Sequence, residues 1–347
     1  MPASLVQPVL VAREAMATRF EIVLHGENAV ALRAAGEEAL DEVERLEAQL
    51  SLYRPDTEIA RVNALAHREA VRVSPPVFGL LQHARQLHRE TGGAFDITIA
   101  PLMRCWGLMG ERGRVPAPEA LAQARAQVGM HLVHLDPANF TVRFERAGVM
   151  LDLGAIGKGY AVEKAAALLR ELGVSSALIH GGTSTIYAIG HPHDQEVWKV
   201  ALELPPGISP TPTQDRLEAC PTLLAVVSLC DESLSVSAVW GKSFQAGGKT
   251  YGHILDPRTG TPAAAAIMAA VVLPSATETD ALSTALLTLG LDGLSQITGL
   301  RAGLRTFVLQ PAENGWLAEG QGIEPAPSAP LTWRAVKIPV ENPALPT

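Results

Sequence analysis

The chain has 347 residues, 47% of them hydrophobic and 18% charged, enough apolar material for a large core in one domain or two intimate ones. A net charge of -8 argues against a nucleic-acid surface, so a polyanionic ligand would need a local cationic or metal-assisted pocket. Cys105, Cys220 and Cys230 show no CxxC spacing, which favours free thiols over a disulfide framework; Cys220 and Cys230 could pair only if the fold brought them close. Residues 1–13 lack a basic start and a sustained apolar run, and Pro2 and Pro8 interrupt them. The expectation is a cytoplasmic protein without a membrane span, exported only if a leader stands ahead of this sequence.

In chain order, residues 1–15 read as an N-terminal extension. Thr18–Leu24 alternates, with Phe20, Ile22 and Leu24 on one face, and predicts a strand. Leu32, Ala35, Ala39, Val43, Leu46 and Leu50 recur at helical spacing, predicting a helix over Glu27–Leu50. Ser51–Glu58, broken by Pro55, reads as a loop. Ser74-Pro75 starts a helix that stops at Thr91-Gly-Gly93. Ala117–Val128 reads as a helix, then short strands at His131–Leu135, Thr141–Glu145 and Val149–Leu153. Tyr160–Leu172 predicts a helix with Ala161, Ala165, Leu168 and Leu172 inward, ended by Gly173. Strands are expected at Ala177–Ile179, Val197–Leu204, Leu223–Ser228, Tyr251–Leu255, Ala266–Leu273 and Arg305–Leu309, with a surface loop at Pro205–Gln214. Thr279–Leu289 reads as a helix closed by Gly290. From Glu324 six prolines predict an extended tail, within a segment 321–347 set apart from a main domain at 16–320. The irregular mixture predicts an α/β or α+β fold with mixed sheets and packed helices.

Four constellations carry chemistry-bearing residues. Asp152-Leu-Gly-Ala-Ile-Gly-Lys158-Gly-Tyr160 runs a strand into a glycine-punctuated turn and a helix start, which suits a phosphate beside Lys158 and equally a tight turn with a solvated lysine. It is neither a GxxxxGK[ST] loop nor a GxGxxG fingerprint. Asp280 and Thr284, four apart on a helix, put two oxygens on one face, as a hard cation such as Mg²⁺ would need. Helix capping by Thr277, with Asp280 near the third position, explains the same residues. In Tyr251-Gly-His253-Ile-Leu-Asp256-Pro-Arg258-Thr-Gly260 a strand delivers His253, either as a base near neutral pH or as an ordinary strand-face residue, ahead of a turn held by Asp256 and Arg258. Thr91-Gly-Gly-Ala94-Phe95-Asp96-Ile-Thr98 presents an aromatic and a carboxylate, either to a flat heterocycle or to the core. Met16 and Tyr53 stand near turns. His83 and His88, five apart on a helix, share no face and carry no assigned role.

Taken in order, Met16-Ala-Thr-Arg-Phe20, Ser51–Ile59, Gly93–Thr98, Asp152–Val162, His253–Gly260 and Thr279–Ala285 resemble one family, the ApbE-type FAD:protein FMN transferases. Trp198-Lys-Val200, followed by Pro205, fits too. The resemblance spans residues 16–290. It implies that Met16, Tyr53, Ala94, Phe95, Asp96, Asp152, Lys158, His253 and Ile254 line an FAD site, and that the Ala155 carbonyl, the Asp280 carboxylate and the Thr284 hydroxyl hold Mg²⁺. The implied reaction cleaves the FAD pyrophosphate, moves FMN to a Thr or Ser hydroxyl of an acceptor flavoprotein and releases AMP, with His253 the candidate catalytic base. The alternatives are an FAD pyrophosphatase giving FMN and AMP, and a flavin-binding carrier without turnover. The sequence departs from the family pattern at two segments. An Asn-Ala-Gly-Gly-Asp-like run is His180-Gly-Gly-Thr-Ser-Thr185, and a Thr-Ser-Gly-Asp-Tyr-like run is Val236-Ser-Ala-Val-Trp240. Ala155 also stands where glycine is usual, and Gly157 where alanine is.

Overall fold

The computed structural model describes residues 7–110, 112–204, 222–240, 243–313, 315–329 and 331–335. Strand β2 (Thr18–Leu24) forms as its alternation predicts, with Phe20, Ile22 and Leu24 fully buried. It pairs antiparallel with β1 (Val9–Ala15), so part of the expected N-terminal extension is an edge strand of the main sheet. Helix α1 (Ala29–Leu50) is capped by Asn28, whose side chain accepts from Ala31 N. The loop after it ends at Thr57, which caps a helix not expected from the sequence, α2 (Glu58–Leu65). Then come β3 (Val71–Arg72) and α3 (Pro75–Glu90). Helix α3 stops where expected, with Gly92 and Gly93 at φ +59° and +80°. Ser74 makes no side-chain cap; its N–H and hydroxyl donate to Glu58.

Next are α4 (Ala100–Cys105), α5 (Pro118–Arg125), β4 (Val133–Asp136) and β5 (Thr141–Phe144), with a 3-10 turn over Met130–Leu132 where a strand was expected to begin. Val149–Leu153 is not the predicted strand. It lies outside any sheet because its backbone is held otherwise: Leu151 exchanges two hydrogen bonds with the Asn63 side chain, and Asp152 N donates to Ile97 O. Helix α6 (Gly157–Glu171) buries Ala161, Val162, Ala165, Ala166 and Leu169. Leu172, expected inward, is exposed, since the helix has already ended there and Gly173 turns the chain at φ +82°.

The second half supplies β6 (Ala177–Gly181), β7 (Thr185–Ile189), β8 (Trp198–Leu204), β9 (Thr222–Leu229), β10 (Ser233–Ala238), β11 (Ser243–Ala246) and β12 (Lys249–Gly252). It continues with β13 (Leu255–Asp256), β14 (Thr261–Pro262), β15 (Met268–Leu273), α7 (Ala276–Leu289), α8 (Leu294–Thr298), β16 (Arg305–Ala312), β17 (Gly315–Gln321) and β18 (Thr332–Ala335). The expected strand Tyr251–Leu255 is broken in two at His253 and Ile254. The loop expected at Pro205–Gln214 lies outside the described residues. The proline-rich segment after Glu324 delivers β18, which pairs parallel to β17.

Nine strands form one mixed sheet in the order β1-β2-β6-β7-β10-β15-β16-β17-β18, antiparallel except for the last pair. β15 is buried along its whole length, because both sheet faces are covered. Ala269, Val271 and Leu273 face the core under α1, α6 and α7. Met268, Ala270 and Val272 face a second core closed by the β8–β9 hairpin. A smaller cluster of Leu102, Trp106, Ala124 and Leu255 sits under the β11–β12 hairpin. No helix among the described residues is long and apolar enough to cross a membrane.

Candidate functional site

The site begins where α6 meets α7. Helix α6 starts at Ile156, which has no side-chain oxygen for a cap. An α-helix leaves its first N–H groups without partners, and they favour a negative charge. Here Asp280 of α7 supplies it: Oδ2 accepts from Gly159 N at 2.9 Å, and Oδ1 lies 3.9 Å from Lys158 Nζ. Lys158 Nζ also donates to Gly154 O at 3.1 Å, bending its charge back over the glycine turn. Gly159 has no room for a side chain. A Cβ there would overlap the Ala276 carbonyl oxygen and stand 2.7 Å from Asp280 Cβ. The capping alternative for α7 is not what forms. Its cap is Ser275, whose hydroxyl accepts from Glu278 N, and Asp280 faces the neighbouring helix instead.

Asp152 stands one turn upstream. Its Oδ1 accepts from Gly154 N at 2.7 Å and shapes the turn. Burial pushes the Asp152 carboxyl above the ordinary carboxylate range, opposed by the Gly154 N–H and by Lys158. Tyr53, two-thirds exposed, lies close enough for the Asp152 charge to join burial in raising its phenol pKa. The structure therefore brings Tyr53, Asp152, Lys158 and Asp280 to one place.

The Ile97 carbonyl ties the Asp152 backbone to the Ala94–Thr98 segment. Ala94 and Phe95 are each 1% exposed, inside the main core, and Asp96 is 6% exposed. Asp96 Oδ1 accepts from Thr98 N and Thr98 Oγ1 at 2.7 and 2.6 Å, and Oδ2 lies 3.2 Å from His88 Nδ1. His88, given no role from its spacing, thus holds Asp96. Burial lowers its imidazolium pKa, but the Asp96 hydrogen bond and charge and the Phe95 carbonyl outweigh burial, and the net direction is up. No local pattern marked this pair, because α3 ends and the chain turns between the two residues.

His253 is not delivered by a strand. It sits half-buried, with Ile254, at the bend between β12 and β13. The hairpin before it is anchored by rings: Phe244 stacks on Tyr251 at 5.2 Å, and Tyr251 lies 5.7 Å from Trp106. Trp106 Nε1 donates to Gly260 O at 2.8 Å, pinning the far end of the same motif. Asp256 takes Arg258 through both carboxylate oxygens at 2.9 Å, the turn clamp expected for that pair. A Cβ on Gly93 would come within 3.9 Å of Arg258, so this motif borders the Gly93–Thr98 turn. Met16 occupies the two-residue β1–β2 turn, where Met16 and Ala17 take φ +51° and +57°, and its N–H donates to Glu47.

The two segments that depart from the family pattern lie at the β6–β7 turn and in β10. His180–Thr185 makes the β6–β7 turn, and burial lowers the His180 pKa. In β10, Ser237 Oγ lies 3.1 Å from Thr284 Oγ1 and 3.0 Å from Ser283 Oγ. Ser237 was not singled out by sequence reasoning; its alternation with Ser233 and Ser235 was the available signal.

The donor set around Asp280 suits a hard cation. Asp280 is 4% exposed, and Thr284 follows it by one turn with its hydroxyl 3.2 Å from Asp280 O. The first carbonyl in the α6 ladder is that of Ile156, which accepts from Tyr160 N; Ala155 precedes it, so its carbonyl is not required by the helix. Among the described residues no three His, Cys, Asp or Glu side chains cluster to hold a metal. One carboxylate with neutral oxygens fits Mg²⁺ that keeps part of its water shell. Cys105 and Cys230 are free thiols, and Cys220 lies outside the described residues.

A family model described as the ApbE family matches residues 16–307. An FAD:protein FMN transferase of Treponema pallidum is 32% identical over 276 residues, covering 76% of this chain and 73% of that protein. One of Haemophilus influenzae is 28% identical over 298 residues, covering 83% of each. Among solved structures, the ApbE protein of Thermotoga maritima superposes with a TM-score of 0.77 at 25% identity, covering 92% of this chain and 97% of that one. The flavinyl transferase ApbE of Pseudomonas stutzeri, in its apo form, gives 0.76 at 28% identity, covering 92% and 96%.

Proposed function

Because the chain belongs to the ApbE family, we propose that it is an FAD:protein FMN transferase that cleaves the FAD pyrophosphate, transfers FMN to a Thr or Ser hydroxyl of an acceptor flavoprotein and releases AMP. The observation that carries this reading is the convergence of Lys158, the α6 N-terminus and Asp280 within 4 Å. A phosphate chain needs positive charge close by, and in a chain of net -8 Lys158 and the α6 N-terminus supply it there, beside the Asp280 carboxylate. Mg²⁺ held by Asp280, Thr284 and the Ala155 carbonyl would draw charge off the pyrophosphate.

In the reaction the acceptor hydroxyl oxygen bonds to the phosphorus of the FMN half, and the bond from that phosphorus to the AMP oxygen breaks. The hydroxyl proton needs a base, and His253 is the proposed one. Lys158 orients the phosphates, and Met16, Tyr53, Ala94, Phe95, Asp96, Asp152 and Ile254 are the proposed flavin-site residues. Ala94, Phe95 and Asp96 are buried, so their contribution is to shape the wall rather than to present an exposed ring.

The test is incubation of the full chain with FAD, Mg²⁺ and an acceptor protein carrying a flavinylation threonine, followed by mass analysis. A covalent FMN adduct together with AMP is expected. FMN and AMP without an adduct would assign hydrolysis, and intact FAD would assign carriage. Asp280→Ala is expected to abolish Mg²⁺-dependent turnover, and undiminished turnover in that variant would remove Asp280 from the metal site.

A further inference from the structure

Helices α6 and α7 cap each other. Asp280 of α7 takes the Gly159 N–H of α6. The reciprocal contact comes from Glu163, four residues beyond Gly159 and therefore on the same face of α6. Glu163 Oε2 accepts from Ser275 Oγ at 2.7 Å and from Thr277 N at 2.9 Å. The Ser275 hydroxyl donates to Glu163 and accepts from Glu278 N at 3.2 Å. The first-turn donors of α7 are thus divided between its own cap and a carboxylate of α6. With Gly159 against the Ala276 carbonyl, the two backbones touch without an intervening side chain. Any shift of the first turn of α7 along α6 carries Asp280 with it.

We propose that Glu163 is a positioning residue for Asp280, setting the register of α7 on α6 so that the Asp280 carboxylate stays over the α6 N-terminus beside Lys158. The inference rests on the reading of Asp280 as the cation ligand and extends it to a residue that touches neither cation nor substrate. A second clamp on the same turn supplies the control. Arg301 binds Glu278 through two hydrogen bonds of 2.9 Å, and His83 Nε2 lies 3.0 Å from the same carboxylate. That clamp ties α7 to α3 and the residue-300 loop, not to α6.

The experiment compares Glu163→Ala, Glu163→Gln and Arg301→Met in the full chain. Mg²⁺ is titrated by calorimetry, and hydrogen exchange is read at the Gly159 amide. Glu163→Ala is expected to weaken Mg²⁺ binding tenfold or more and to speed Gly159 exchange tenfold or more. Glu163→Gln keeps an oxygen that can accept both bonds and should stay within threefold of the parent in both readouts. Arg301→Met should leave the local opening at Gly159, measured after its change in global stability is subtracted, within threefold of the parent. Parent-like Mg²⁺ binding and Gly159 exchange in Glu163→Ala overturn the proposal, as does a glutamine variant as impaired as the alanine one. If the alanine variant does not fold, Glu163→Asp, one methylene shorter, must shift both readouts in the same direction, and parent-like values overturn the proposal. Asp280→Asn separates the two readings. If it binds Mg²⁺ as the parent does, the cation assignment fails, while Gly159 exchange in the Glu163 variants still decides whether Glu163 sets the register.

Discussion

Single residues at this site are held by backbone requirements as much as by side-chain chemistry. Ala17 is exposed yet sits at φ +57°, a region that costs an L-residue about 1–2 kcal/mol. Ala17→Gly is therefore expected to raise the unfolding free energy by about 0.5–1 kcal/mol, after the added freedom of the unfolded chain is subtracted. The urea midpoint checks this, and an unchanged or lower midpoint would show that the turn is not strained. Gly159→Ala should do the opposite, costing about 1–3 kcal/mol by overpacking, together with loss of turnover because α6 and α7 must separate. His88 adds a pH dependence. Its folded pKa lies above the unfolded 6.5, so its contribution is complete below that value and is lost as pH rises through the folded pKa. Wild type should lose more of its stability advantage over His88→Gln between pH 6 and pH 8 than below pH 6, and parallel curves would count against the Asp96 pairing.

At the scale of elements, α7 is the member on which the site depends. Its first turn is gripped by Glu163 on one side and by Arg301 with His83 on the other. Burial raises the Glu278 carboxyl pKa, but His83 and Arg301 outweigh it, and the net direction is down. Stability from this clamp is present above the unfolded value of 4.5 and is lost as pH falls through the folded pKa. Arg301→Met leaves two largely buried carboxylates without their cation, with side chains 14% and 23% exposed. A loss of about 1.5–3 kcal/mol at pH 7 is expected, shrinking as pH falls below the unfolded value of 4.5 and through the folded pKa of Glu278. Thermal or urea unfolding across that pH range measures it. The helical spacing of α1 and the apolar run of β15 were plain in the sequence. The capping pattern of α7 was not, because its partners lie more than a hundred residues upstream on α6.

For the whole molecule, the nine-stranded sheet draws its edges from segments that looked peripheral. β1 comes from residues first set with an extension, and β18 from the proline-rich tail. Trp333 of β18 stacks on the fully buried Phe307 at 5.8 Å. Trp333→Ala is expected to cost about 1–3 kcal/mol from lost stacking and burial. A chain ended at Gln321 should be destabilised further, because β17 then becomes an open edge. Unfolding midpoints equal to the parent in both would mean that the tail contributes nothing to the sheet.

The sequence by itself determined the mixed α and β character, the amphipathic faces of β2 and α1, the start and stop of α3, and six motifs in family order. These signals are local: periodicity over one element, a cap, a glycine turn. The tertiary structure decided which carboxylate faces which helix. Asp280 could have capped its own helix, and a periodic pattern cannot say otherwise, because both outcomes present the same residues at the same spacing. The α6–α7 contact settles it, since Gly159 lets the backbones meet and Asp280 accepts from the Gly159 N–H at an N-terminus that Ile156 cannot cap. His88 and Glu163 were illegible for the same reason: each acts on a residue that adjoins it only once the chain has folded.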